Sequence, residues 1–251
     1  MSASPFFVIE PQDSGRLAVY FSPTLKKMTS ELQAACASVM QRPSEANLIS
    51  LLDLWSADWK QKGRTRAIRP SYDIYCTLGL YAFAGNAPRL SKASIAEEAC
   101  AALNHFLRDR FPNGKWTSLA VILNPRIGLH RDMGNMIGML NHAIAVGDFT
   151  GGRVWIEDDE GTSPDEIVMK NKIHRLRGSW FNMHDNPVSF NARRYHKVEP
   201  HEGHMWAIAA YTLTAFRRCS NEKKRELTSL GFPLPDANGA SANLVAETLR
   251  H

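Results

Sequence analysis

The stretch WTSLAVILNPRIGLHRDMGN, residues 116–135, decides how the rest of the chain is read. Residues 119–123 form a short apolar run of the kind that becomes a buried strand. The stretch then reaches His130-Arg131-Asp132. On an extended chain residues i and i+2 share a side, so the His130 imidazole and the Asp132 carboxylate should project together while Arg131 points away. One more imidazole would complete a two-histidine, one-carboxylate face, the set that holds Fe(II) and leaves coordination positions open. With nine histidines in the chain, a His-x-Asp triplet arises readily by chance. The weight therefore rests on what surrounds it.

A chain of 251 residues with 44% hydrophobic content can bury a full core, as one large domain or one domain with helical additions. The amino end, MSASPFFVIE, lacks the basic segment and long apolar run of a secretory signal. The longest apolar stretch, residues 205–216, is too short to span a bilayer. An intracellular protein with no membrane partner is expected. Cys36, Cys76, Cys100 and Cys219 are scattered, which argues against a zinc or redox pair and for small buried apolar roles. The net charge of +5 is clumped at residues 60–69 (KQKGRTRAIR), 170–177 (KNKIHRLR) and 217–225 (RRCSNEKKR). Such clumps suit a polyanion as well as a solvated surface.

Residues 1–23 read as irregular. Apolar residues at three- and four-residue spacing then predict two helices, over 24–41 and 44–60, with Leu48, Leu51, Leu52 and Trp55 on one face. Residues 71–84 read as a core strand or support. Ser94 with Glu97 makes a capping-box start for a helix ending near Phe111-Pro112-Asn113-Gly114. Beyond the triplet, 141–146 and 153–157 read as strands linked as a hairpin through a glycine-rich turn at 147–152. Residues 178–195 suggest brief strands and turns. A largely buried final strand follows from Met205. His196 stands just before it and is the natural third ligand, but His142, His174, His184, His201 and His204 compete, and spacing does not choose among them.

Five blocks carry a resemblance: TLGLY at 77–81, KWTSLAVILN at 115–124, LHRDMGN at 129–135, GDFTGGRVWIEDDEG at 147–161 and YHKVEPHEGHMWAIAAYT at 195–212. In order and spacing they resemble the TET/JBP-like Fe(II)- and 2-oxoglutarate-dependent dioxygenases, in particular an algal, dinoflagellate-type, retroelement-associated branch. The resemblance implies an α+β fold with a double-stranded β-helix, jelly-roll-like core at 71–216. Outside that core, the apolar spacing predicts helical support in 1–70 and the clumped cations a basic carboxyl-terminal segment and tail in 217–251. The resemblance implies that His130, Asp132 and His196 bind Fe(II), and that Asn135 helps hold a target cytosine. The implied reaction is oxidation of 5-methylcytosine with O2 and 2-oxoglutarate, on DNA more than RNA, in a nuclear protein.

One position departs from the family. An arginine that pairs with the distal carboxylate of 2-oxoglutarate is replaced here by Met205, and a thioether is no substitute for a guanidinium fork. Three outcomes follow: Arg126, Arg153 or Arg177 supplies the charge, ascorbate serves as reductant, or the domain binds metal without turnover, as a nucleic-acid-binding module of the same fold; an oxygenase acting on a protein or small molecule is a further reading. Weak 2-oxoglutarate binding, strengthened by Met205→Arg, is the expectation if no second arginine reaches the pocket.

Overall fold

A computed structural model describes residues 23–57, 59, 71–82, 86–169 and 171–236. Residues 1–22, the basic clump at 60–69 and the tail from 237 lie outside them.

The two amino-terminal helices form, as α1 (Pro23–Gln41) and α2 (Glu45–Ser56). Ser44 caps α2 by accepting from the Asn47 amide, and Leu48, Leu51, Leu52 and Trp55 bury the apolar face. Helix α3 spans Glu97–Arg110, with Glu97 and Glu98 in its first turn and Arg108 and Arg110 in its last, each sign suiting its end of the helix dipole. The capping box is not formed. Ser94 lies in a short 3-10 turn before α3, and its buried hydroxyl accepts instead from the Gly79 amide at 2.8 Å. At φ +76° that amide leaves the strand ladder, and a buried N–H without an acceptor is costly.

The ten strands are β1 (Ile74–Tyr81), β2 (Arg89–Leu90), β3 (Ser118–Leu123), β4 (Asn141–Gly151), β5 (Val154–Glu157), β6 (Ser163–Met169), β7 (Lys172–Phe181), β8 (Val188–Phe190), β9 (His196–Val198) and β10 (His201–Tyr211). They build two antiparallel sheets, in orders β2-β1-β3-β10-β4-β8 and β6-β7-β5-β9. Alternation gives the first sheet two different faces. Leu78, Leu119, Val121, Ile144, Val146, Trp206 and Ile208 pack into one core with α1, α2, α3 and Leu227 of α4 (Asn221–Ser229). Ala143, Ala145 and Met205, on the opposite face, pack against Val154 and Ile156 of the second sheet. The result is the jelly-roll-like, double-stranded β-helix architecture with helices outside.

Residues 147–152 are not a hairpin turn. β4 continues to Gly151 along β10, and β5 belongs to the other sheet. Gly147, at φ +134°, faces β10 so closely that a Cβ there would overlap the His204 carbonyl oxygen. It keeps the strand paired where a turn was expected, and Gly151-Gly152 carry the chain across to the second sheet. No helix among the described residues is long and apolar enough to cross a membrane.

His142 lies on the helix side of β4, against Phe111 and Trp116, with Nδ1 2.8 Å from the Ser189 hydroxyl. Burial pushes its pKa down to about 4. Below the unfolded value of 6.5 the unfolded chain takes the proton first, so stability is lost as pH falls from about 6.5 towards 4. For 2.5 units the loss is on the order of 3 kcal/mol. Urea unfolding at pH 7 and pH 4.5 should show a deficit that shrinks by about that amount in His142→Phe. An equal deficit in both proteins would assign the acid sensitivity elsewhere.

Candidate metal centre

His130 forms an isolated antiparallel bridge with the first residue of β9, through His130 N to His196 O at 3.0 Å and His196 N to His130 O at 2.9 Å. This pair of hydrogen bonds sets the two imidazoles side by side, with ring centroids 4.2 Å apart. Asp132 is placed by its amide, which donates to the Ala192 carbonyl at 2.8 Å. Its Oδ1 lies 3.7 Å from His130 Nε2. One ligand atom from each of His130, Asp132 and His196 falls within 4.8 Å of the others.

Each imidazole is oriented by a backbone carbonyl two residues earlier. His130 Nδ1 sits 2.9 Å from Gly128 O, and His196 Nδ1 sits 3.0 Å from Arg194 O. With Nδ1–H donating, both Nε2 lone pairs face the centre. Burial, followed by the neighbouring His130, pushes the His196 pKa down to about 4, while Asp132 acts the other way. His196 is therefore neutral at physiological pH, the form that ligates a metal. Two imidazole nitrogens and a carboxylate oxygen are a donor set that suits Fe(II).

Sequence reasoning missed the residues that hold this arrangement. Asn141, the first residue of β4, donates from Nδ2 to Asp132 Oδ2 at 3.3 Å, as Asn135 does at 3.3 Å. Arg193 clasps the intervening loop by donating to the carbonyls of Met133 at 2.7 Å and Asn135 at 3.1 Å. The only sequence signal for Asn141 was a polar residue opening an apolar strand run. Arg193 had none.

The other histidines are elsewhere. His142 is in the helix-side core, His174 is exposed on β7, and His184 meets Glu45 at 3.1 Å. His201 feels Arg126 and Asp73, while His204 lies 3.6 Å from Asp53. The arginines named as alternative anchors are engaged away from the triad. Arg126 pairs with Asp73 at 2.6 Å, and Arg153 pairs with Glu199 at 2.6 Å while lying over the Trp180 ring. Arg177 donates to Gly161 O at 3.2 Å. The charged groups acting on His196 are His130 and Asp132.

Met205 is 0% exposed and packs with Phe149, Val154 and Ile156. By register, the face of the first sheet turned to the second carries Tyr75 and Thr77, Ala120 and Ile122, Ala207 and Ala209, and Ala143 and Ala145. None of these is charged. Burial, then Tyr75, then the Asp132 charge raise the pKa of Tyr211, and burial above all, with smaller contributions from Tyr72 and Asp132, raises that of Tyr75. The residues thus fit a divalent metal; the inward positions just named carry no charge, while His201, on the same face of β10 by register, feels Arg126 and has a buried Nδ1 without a hydrogen-bond partner.

No family model matches the chain, and no curated protein matches it. Among solved structures, it is similar to a 2OG-Fe(II) oxygenase family oxidoreductase from Burkholderia pseudomallei, at 13% identity and a TM-score of 0.40, covering 72% of this chain and 88% of that one. It is also similar to dioxygenase for auxin oxidation 1 from Arabidopsis thaliana, in a 2-oxoglutarate complex, at 14% identity and a TM-score of 0.28, covering 74% and 78%.

Proposed function

We propose that the chain is a nonhaem Fe(II)-dependent oxygenase that oxidises a methylated nucleic-acid base, 5-methylcytosine, with nucleic acid, DNA more than RNA, as its macromolecular partner. The observation that carries the enzyme reading is the convergence of His130, Asp132 and His196. The base and the partner rest on the motif resemblance and the clustered cations. When bound, the metal supplies O2 activation for attack on an unreactive C–H bond. His130 and His196 would hold it through Nε2 and Asp132 through Oδ1. Val154, Ile156, Phe181 and Val198 supply apolar surface on the facing sheet that keeps water out. Exposed Met133, Ile137 and Leu140 follow the Asp132 turn, and Arg131 lies over the Tyr195 ring. These give an extruded base apolar surface and its phosphates a nearby cation. 2-Oxoglutarate is the cosubstrate that the resemblance implies, with Met205 standing where the resembling family carries its anchoring arginine.

The test is anaerobic loading with Fe(II), then O2 with methylated or unmethylated DNA, with and without 2-oxoglutarate, reading the bases by mass spectrometry. An oxidised methyl group only on methylated DNA is the expected result. Metal binding and DNA binding without any product would favour a nucleic-acid-binding module that has lost turnover, a reading that Met205 at the usual arginine position supports.

DNA affinity should fall steeply with salt, because exposed Lys172, Arg175 and Arg177 on β7 and the cations around α4 act on phosphates. At a log–log slope of about −0.9 per phosphate, three contacts give roughly a fortyfold loss between 50 and 200 mM salt. Fluorescence anisotropy measures this, and a flat profile would count against a polyanionic partner.

A further inference from the structure

The Asp132 carboxylate has two oxygens in different surroundings. Oδ1 faces the histidines, 3.7 Å from His130 Nε2. Oδ2 accepts from the side-chain amides of both Asn135 and Asn141. The two amides are also joined, Asn135 Nδ2 donating to Asn141 Oδ1 at 3.0 Å. Asn141 is 3% exposed and Asn135 6%. Asn135 is held by its backbone as well: its N–H donates to Asp132 O at 3.2 Å, its carbonyl accepts from Arg193, and it bridges Leu213 after β10. Swinging its amide out to meet a substrate would break a connected buried network, whose remaining members would lose their partners.

We infer that Asn135 and Asn141 are a two-amide clamp that occupies Oδ2 and reserves Oδ1 for the metal, which makes Asn135 a positioning residue rather than a base contact. The clamp rests on the reading of the triad as a metal site. Its chemical consequence is a carboxylate bound through one oxygen. A carboxylate freed to bind through both would take up a coordination position that small ligands need.

The test is titration of the purified protein with Co(II), and separately with Mn(II), with neither nucleic acid nor a cosubstrate present. Wild type is compared with Asn135→Leu and Asn141→Leu, which keep approximate volume, and with the milder Asn135→Ser and Asn141→Ser, thermal melts confirming folding. Each variant should bind 10- to 100-fold more weakly, the range for losing an outer hydrogen-bond partner of a ligand. The double variant should lose less than the product of the singles, because the amides share a bond. The Co(II) visible spectrum should also shift, marking a changed coordination number, which a purely structural role would not produce. Folded variants with wild-type affinity and spectrum would overturn the clamp. Failure of wild type itself to bind either metal would overturn the triad reading, and the clamp with it.

Discussion

Replacing His196 with alanine is expected to weaken Mn(II) or Fe(II) binding by more than about a hundredfold, beyond the 10–100-fold cost of losing an outer partner of a ligand. His196 is the most buried of the three ligands, and its Nδ1 is fixed by Arg194 O. The fold should survive. The bridge to His130 is made by backbone atoms, and the ring packs against the rings of His130 and Phe190. His201→Ala and His204→Ala serve as controls, since those rings lie near Asp73 and Asp53, and both should stay within about twofold of wild type. Calorimetric titration with Mn(II) reads all three. An unchanged constant in His196→Ala, or a collapse in His204→Ala, would mean that the third ligand is another residue.

The contrast between those histidines shows what the sequence exposes. His130 and Asp132 were legible because their relation is local, two residues apart on extended backbone. The third ligand depends on a backbone bridge across a long loop, and composition around His196, His201 and His204 does not separate them. Helix α2 was equally plain, because Leu48, Leu51, Leu52 and Trp55 repeat at helical spacing. The β4 to β5 passage was misread for a physical reason. Glycines that mark a turn in one setting serve in another to bring two strands into close register, and only the partner strand β10 decides which. Ser94 erred similarly, since its acceptor was claimed by Gly79, distant in the chain. Asn141 was invisible because a polar residue that opens an apolar run reads as a strand boundary, not as a hydrogen-bond donor to a carboxylate.

Met205→Arg is expected to destabilise the protein, not to strengthen 2-oxoglutarate binding as the motif comparison alone suggests. The motif resemblance identifies a methionine where the resembling family carries arginine, but it does not reveal whether that position opens to a ligand. Here it is filled. Met205 is fully buried, and a side chain added at Gly152 would run into its sulfur at 2.8 Å and into Phe149 at 3.1 Å. Its backbone is fixed as well, the N–H donating to Asn124 Oδ1 at 2.9 Å and the carbonyl accepting from Asn124 N at 2.8 Å. A guanidinium at this point would enter a cluster of Ala143, Ala145, Val154, Ile156, Val188 and Phe149, none of which carries a charge. An uncompensated buried charge costs on the order of 3 to 5 kcal/mol, a large share of the roughly 5 to 15 kcal/mol that holds a domain folded. Met205→Leu, which keeps volume and polarity, should cost less than about 1.5 kcal/mol. Denaturant unfolding of the three proteins, paired with 2-oxoglutarate titration of the Mn(II)-loaded forms, separates the alternatives. A Met205→Arg protein as stable as wild type and binding 2-oxoglutarate more tightly would show that the side chain reaches an open, carboxylate-binding part of the cleft and that its present burial is easily exchanged for that role.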